Sequence, residues 1–252
     1  MGAASGSGAA LSYMRLFMRL FLPFIFLLAG CGPPASVAPT TMPSGSPSPP
    51  PAATISFLAL GDSYTIGEGA AAAERWPVQL AGLARAQGLA LADPDIIART
   101  GWTTAELQAA IAGSGNHRTD YGLVSLLIGV NNQYRGQSLE TYRTEFRQLL
   151  ATATAFAGGR VGRVVVLSIP DWGQTPYAAG RDRTRIGQEI DQFNAVAQAE
   201  CQQAGAAYVA ITPLTRAAAG DATQFTQDGL HYTGKQMRLW AERALPVVES
   251  RL

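Results

Sequence analysis

The chain has 252 residues, with 19 basic and 18 acidic side chains and a net charge of +1 when the histidines are neutral. That length allows one domain with a sizeable core behind an N-terminal segment, and the balanced charge, with no basic stripe, argues against nucleic acid as a partner. Two cysteines and two histidines, with no paired-cysteine spacing, supply neither a disulfide framework nor a transition-metal ligand set, so no metal or cofactor is expected.

Arg15 and Arg19 precede the apolar run Leu20–Leu28, which ends in Ala29-Gly30-Cys31. A basic start, a short apolar core and small residues at its end describe a secretory signal over residues 1–30; the run is too short to span a bilayer. Leu28-Ala29-Gly30-Cys31 resembles the lipobox of bacterial lipoproteins. The resemblance implies cleavage before Cys31, lipidation of that cysteine, and a protein anchored to a membrane of the bacterial cell envelope facing outside the cytoplasm. A free cysteine in a plain signal is the competing reading. With Cys31 acylated, Cys201 has no disulfide partner, and its helical surroundings make it a small core residue. Residues 31–53 form the next segment, in which Gly32–Ala53 holds eight prolines and no charge. Such a composition gives a semi-extended tether, reaching roughly 70 Å at about 3.1 Å per residue. The folded domain is expected over 54–252.

Ile55–Leu60 is an apolar run that stops at Gly61-Asp62-Ser63, as a buried parallel strand ending in a polar turn would. Ser63 then stands at the carboxyl edge of the sheet, where open α/β sheets build their sites, although a plain turn also favours Gly, Asp and Ser. Gly67-Glu68-Gly69 begins too far from the strand for a dinucleotide-binding turn. A helix is expected over Glu74–Gln87, with Pro77 in its first turn and Gly88 at its end, then a strand over Pro94–Ala98. Thr103 and Glu106 form a capping-box pattern for a helix carrying Leu107 and Ile111. That puts Gly101 just ahead of a helix N-terminus, where backbone N–H groups are unpaired.

Leu123–Ile128 is the third strand, followed by Gly129-Val130-Asn131, in which the Asn131 amide offers donors at the same edge. A helix over Ser138–Ala157, a strand over Val161–Ile169, a long loop over Pro170–Arg183, a helix from Ile186 to Cys201 ending at Gly205, and a strand over Ala206–Ile211 follow. Five strands alternating with helices make an α/β fold with a parallel sheet covered on both faces. Thr233 and Gln236 read as a cap for a final helix with Met237, Trp240, Ala244 and Val248 on its buried face. Just before it, Asp228 and His231 are three residues apart, close enough for the carboxylate to meet the imidazole. His117, in a polar loop, reads as a solvated side chain, which leaves His231 as the candidate base for a serine hydroxyl.

Gly61-Asp62-Ser63, Gly101 in Thr100-Gly101-Trp102-Thr103, Gly129-Val130-Asn131 and Asp228-Gly229-Leu230-His231 resemble, in order, the four motif blocks of the SGNH, or GDSL, hydrolases. The resemblance implies a flavodoxin-like three-layer sandwich with a five-stranded parallel sheet in the order 2-1-3-4-5. It also implies metal-independent hydrolysis of a small-molecule, lipid or carbohydrate ester through an acyl-serine. In it Ser63, His231 and Asp228 form the triad, and the N–H groups of Ser63 and Gly101 with the Asn131 amide form the oxyanion hole. Two positions depart from the family pattern. Asn132 stands where Asp is frequent, which is expected to loosen or re-aim its loop, and Trp102 follows Gly101, either lining the acyl pocket or packing on the core. Trp102, Tyr134 and Trp172 are the candidate pocket residues. A non-catalytic envelope lipoprotein using the fold as a binding module is the alternative, although nothing needed for catalysis is missing.

Overall fold

A computed structural model describes Gly32 and residues 53–252. The signal segment 1–30, Cys31 and most of the tether 31–53 lie outside the described residues. Among the described residues no helix is long and apolar enough to cross a membrane.

The core is a parallel sheet of β1 (Phe57–Gly61), β2 (Asp95–Ala98), β3 (Leu123–Leu127), β4 (Val164–Leu167) and β5 (Ala207–Val209), in the order β2-β1-β3-β4-β5. Every residue of β1, β3 and β4 is buried, which is why these strands read as unbroken apolar runs rather than alternations. Each fully buried Leu, Val or Phe contributes roughly 1.5–3 kcal/mol, so the three central strands anchor the domain. Ser125 alone interrupts the apolar run of β3, and its buried hydroxyl has no partner.

Among the described residues, eight α-helices surround the sheet: α1 (Ser63–Ile66), α2 (Trp76–Ala86), α3 (Thr104–Gly113), α4 (Val130–Tyr134), α5 (Leu139–Phe156), α6 (Arg183–Ala204), α7 (Thr212–Ala217) and α8 (Gly234–Glu249). The α2 helix packs on α8, while α5 packs on α3 and α6. Right-handed crossovers from a strand order that reverses at β1/β3 put these two groups on opposite faces. The long helices match expectation within a residue or two at most ends. Thr103 and Glu106 form the capping box of α3, Ser138 caps α5, and Gly205 closes α6 in the left-handed conformation. Cys201 is fully buried in α6, and burial pushes its thiol up to about 12.

Three expectations are corrected. Val161–Arg163 is a 3₁₀ turn rather than the start of β4. Thr233 caps α8 by position but makes no side-chain cap bond; its hydroxyl donates to the Thr223 carbonyl. Val130–Tyr134 is a helix, not a loop.

Register decides where the chemistry gathers. Gly61 at the end of β1 pairs with Ala98 of β2 and with Leu127 of β3. The three strands therefore end level, and the segments that follow them, carrying Ser63, Gly101 and Asn131, start side by side.

Candidate active site

Ser63 opens α1 directly behind β1. Gly61 permits this turn for a steric reason, since a Cβ there would fall 2.5 Å from the Leu127 carbonyl and closer still to Thr65 Oγ1. Asp62 is the N-cap of α1, its Oδ1 accepting from the Tyr64 N–H at 3.0 Å. It is completely buried, and Oδ2 has no partner. Burial raises its carboxyl to about 7, against the opposing pull of the Tyr64 N–H.

His231 lies in the turn before α8. Asp228 organises that turn with one oxygen and the imidazole with the other. Oδ1 accepts from the N–H groups of Leu230 (2.8 Å) and His231 (3.0 Å) and from the Thr226 hydroxyl (2.8 Å). Oδ2 lies 2.6 Å from His231 Nδ1. Partial burial of Asp228 works against ionisation, but the bonds from the His231 ring, the two N–H groups and Thr226 outweigh it and hold the carboxyl well below the usual range. An ionised carboxylate only accepts, so Nδ1 carries the hydrogen and Nε2 is the basic nitrogen. His231 is 7% exposed, and its ring packs 5.5 Å, centroid to centroid, from Tyr64.

The loop after β2 is tied down from α4. Asn131 Nδ2 donates to the Trp102 carbonyl at 2.9 Å, using one of its two hydrogens. Arg135 donates to the Gly101 carbonyl at 2.5 Å and pairs with Glu106 of the capping box at 3.1 Å. Gly101 has φ +87, a left-handed conformation that favours glycine. Asn132 does not loosen this region. Fully buried, it accepts from the Thr104 N–H (3.1 Å) and donates to Thr104 Oγ1 (2.6 Å) and Gln137 Oε1 (2.7 Å), joining α4 to α3.

Ser63, Gly101, Asn131 and His231 line one cavity of about 180 Å³ together with Tyr134, Trp172 and Tyr177. Trp102 is not among its lining residues; its ring packs, partly buried, against the core while its carbonyl is held by Asn131. Trp172 is fixed by its Nε1–H to Gln133 Oε1 at 2.7 Å. The loop that carries it is pinned by buried Asp171, which caps the Gly173 N–H and pairs with Arg216 at 2.8 Å. Tyr177 Nα–H donates to the Gly229 carbonyl at 2.9 Å, joining this loop to the His231 turn. Ser63 and His231 face the cavity without a direct hydrogen bond, a looseness common in ligand-free sites. His117 is exposed and is not among the residues lining this cavity. The sequence offers the Pro170–Arg183 loop, which holds Tyr177, as a pocket wall, and Tyr177 does line the cavity; Arg135 escapes the sequence reading because its partner lies 34 positions away. Among the described residues, no group of three or more His, Cys, Asp or Glu could hold a metal.

The sequence pattern of the GDSL-like Lipase/Acylhydrolase family matches residues 59–239. The chain belongs to this family. Membership supports a hydrolase, and the sheet order is that of GDSL hydrolase structures. Among solved structures, that of TesA aligns with a TM-score of 0.62 at 19% identity, covering 78% of this chain and 99% of TesA. Axe2, an acetylxylan esterase from Geobacillus stearothermophilus, aligns with a TM-score of 0.61 at 16% identity, covering 77% and 94%. The psychrotrophic esterase EstA from Pseudoalteromonas sp. aligns with a TM-score of 0.58 at 16% identity, covering 77% and 97%. At these identities the likeness is one of fold. No curated protein sequence matches this GDSL-like chain.

Proposed function

We propose that this GDSL-like hydrolase is a serine esterase that cleaves carboxylic esters through an acyl-serine intermediate, held outside the cytoplasm by a lipid on Cys31. The observation that carries the reading is one cavity lined by Ser63, Gly101, Asn131 and His231, with Asp228 on the far nitrogen of the imidazole. Ser63 Oγ attacks the ester carbonyl carbon as its proton passes to His231 Nε2. Ionised Asp228 holds the tautomer and stabilises the imidazolium that forms. The N–H groups of Ser63 and Gly101 and the remaining Asn131 amide hydrogen receive the oxyanion. Collapse breaks the bond to the alcohol oxygen, which leaves with the proton from His231. Water then enters and gives a proton to His231 as its oxygen bonds to the acyl carbon; the bond from that carbon to Ser63 Oγ breaks, Oγ takes the proton back from His231, and the acid leaves.

Asp62, although next to Ser63, does not serve as the triad acid. Its accepting oxygen is turned to the Tyr64 N–H, and its buried carboxyl ionises only near pH 7. The envelope location rests on Arg15, Arg19, the apolar run behind them and Leu28-Ala29-Gly30-Cys31. The test of the chemistry is hydrolysis of p-nitrophenyl acetate by the full chain and by Ser63→Ala. Activity that survives the substitution would rule out this mechanism. The anchor is tested by fatty-acid labelling of the expressed chain, which Cys31→Ser should abolish.

A further inference from the structure

We infer that the substrate is a short-chain acyl ester of a saccharide, with the acyl group beside Ser63 and the sugar rings lying across Tyr134 into a second, polar groove. This rests on the Ser63–His231 centre being esterolytic. The cavity at Ser63 is about 180 Å³, below the roughly 300–1,000 Å³ of sites for drug-sized ligands. An acetyl or similarly short group fits there, and a long acyl chain must run elsewhere.

The groove next to it, about 480 Å³, shares Tyr134 and Trp172 with the Ser63 cavity. Seven of its thirteen lining residues are Gln, Arg, Asp or Glu, whereas among the residues lining the Ser63 cavity His231 is the one ionisable side chain besides tyrosines. An alkyl chain in this groove would strip water from those groups without replacing its hydrogen bonds, which opposes binding. A polyhydroxylated ring replaces them. Capacity remains for it: Gln137 gives its oxygen to Asn132 and keeps its amide hydrogens, Asp182 caps α6 with Oδ1 and keeps Oδ2, and Gln192 is exposed.

The wall between the two cavities has the complementary apolar element. Tyr134 and Tyr177 are 47% and 38% exposed, a rare state for large apolar side chains in this domain. Their hydroxyls are 2.9 Å apart. The Arg181 guanidinium lies 4.9 Å from the Tyr177 ring centroid and 5.4 Å from that of Trp172. An aromatic face flanked by planar donors and acceptors matches a sugar ring, which has an apolar C–H face and a polar rim.

The experiment uses the full chain with acetylated tetrasaccharides of glucose, xylose and N-acetylglucosamine, and ethyl acetate and ethyl octanoate as simple-alcohol comparators. At least one tetrasaccharide should exceed ethyl acetate in kcat/KM by tenfold or more. Gln192→Ala and Tyr134→Ala should each reduce that ratio at least fivefold, through KM. Gln192 is exposed, so this variant tests the groove without disturbing the fold. Equal kcat/KM on tetrasaccharides and ethyl acetate, a preference for octanoate, or an unchanged ratio in both variants would overturn the proposal while leaving the esterase standing. Failure to hydrolyse even p-nitrophenyl acetate would instead remove the esterolytic centre, and this proposal with it.

Discussion

Asp62→Asn isolates an electrostatic feature built into the nucleophile turn. Asp62 is fully buried, gives Oδ1 to the Tyr64 N–H at 3.0 Å and leaves Oδ2 without a partner. Burial raises its carboxyl from 3.8 to about 7. The folded state therefore holds this proton over a range in which the unfolded chain has released it. The stabilisation is fully present below about pH 4 and is lost as pH rises through about 7. The two values are about three pH units apart, and at 1.36 kcal/mol each the change across the window is about 4 kcal/mol as an order of magnitude. For a domain of this size that corresponds to roughly 10 °C in Tm. Asparagine keeps the Oδ1 acceptor and does not ionise. The assay is urea unfolding of both proteins between pH 4 and 8.5, in which titrations common to the two cancel in the difference. Wild type should lose about 4 kcal/mol relative to the variant between pH 4 and 7.5, and the curves should run parallel above that. Parallel curves throughout would refute the argument that Asp62 is neutral in the folded protein at low pH.

Asp228→Asn keeps an acceptor for the N–H groups of Leu230 and His231 but no longer fixes the imidazole tautomer; kcat on p-nitrophenyl acetate should fall roughly 10²–10⁴-fold with an unchanged circular dichroism spectrum. Asn131→Ala removes an oxyanion donor and the hold on the Trp102 carbonyl, and should cost about 10²–10³ in kcat, measured at saturating ester. Glu200, buried in α6, joins α6 to α5 through Arg143 (2.6 Å) and Arg147 (2.8 Å). Both arginines are substantially exposed, so solvent reduces the effect, and Glu200→Ala should lower unfolding free energy by about 1–3 kcal/mol in urea titrations near neutral pH. The Arg147 and Arg143 bonds, against some desolvation, hold the Glu200 carboxyl below its usual value, so the deficit should shrink as the solution is acidified through the unfolded carboxylate range.

The parts of the fold legible in the sequence are those where one local rule sets the outcome. β1 and β3 are apolar runs because both of their faces are covered, and α3 announces itself through Thr103 and Glu106. The helices α4 and α7, with five and six residues, are too short to display a helical period. Val161 invited a strand through its side chain, yet Gly162 sits in a 3₁₀ turn ahead of β4. Thr233 fits a cap in spacing but makes no side-chain cap bond; its hydroxyl donates to a carbonyl ten positions away. In the site, Ser63, Gly101, Asn131 and His231 were legible because each follows or precedes an element at one edge of the sheet. What holds them was not, since the bonds from Arg135 to Gly101 and from Arg216 to Asp171 span 34 and 45 positions. Burial of Asp62 and the groove beside Tyr134 are likewise products of packing, with no local pattern to mark them.

The central claim is that Ser63 is a nucleophile activated by His231, and a fluorophosphonate probe addresses it directly. The full chain is incubated with the probe, digested and mapped by mass spectrometry. The account predicts a single phosphonyl adduct on the peptide containing Ser63, absent in Ser63→Ala and slowed at least a hundredfold in His231→Ala. An adduct on another residue, or ester hydrolysis by wild type with Ser63 unlabelled, would contradict it.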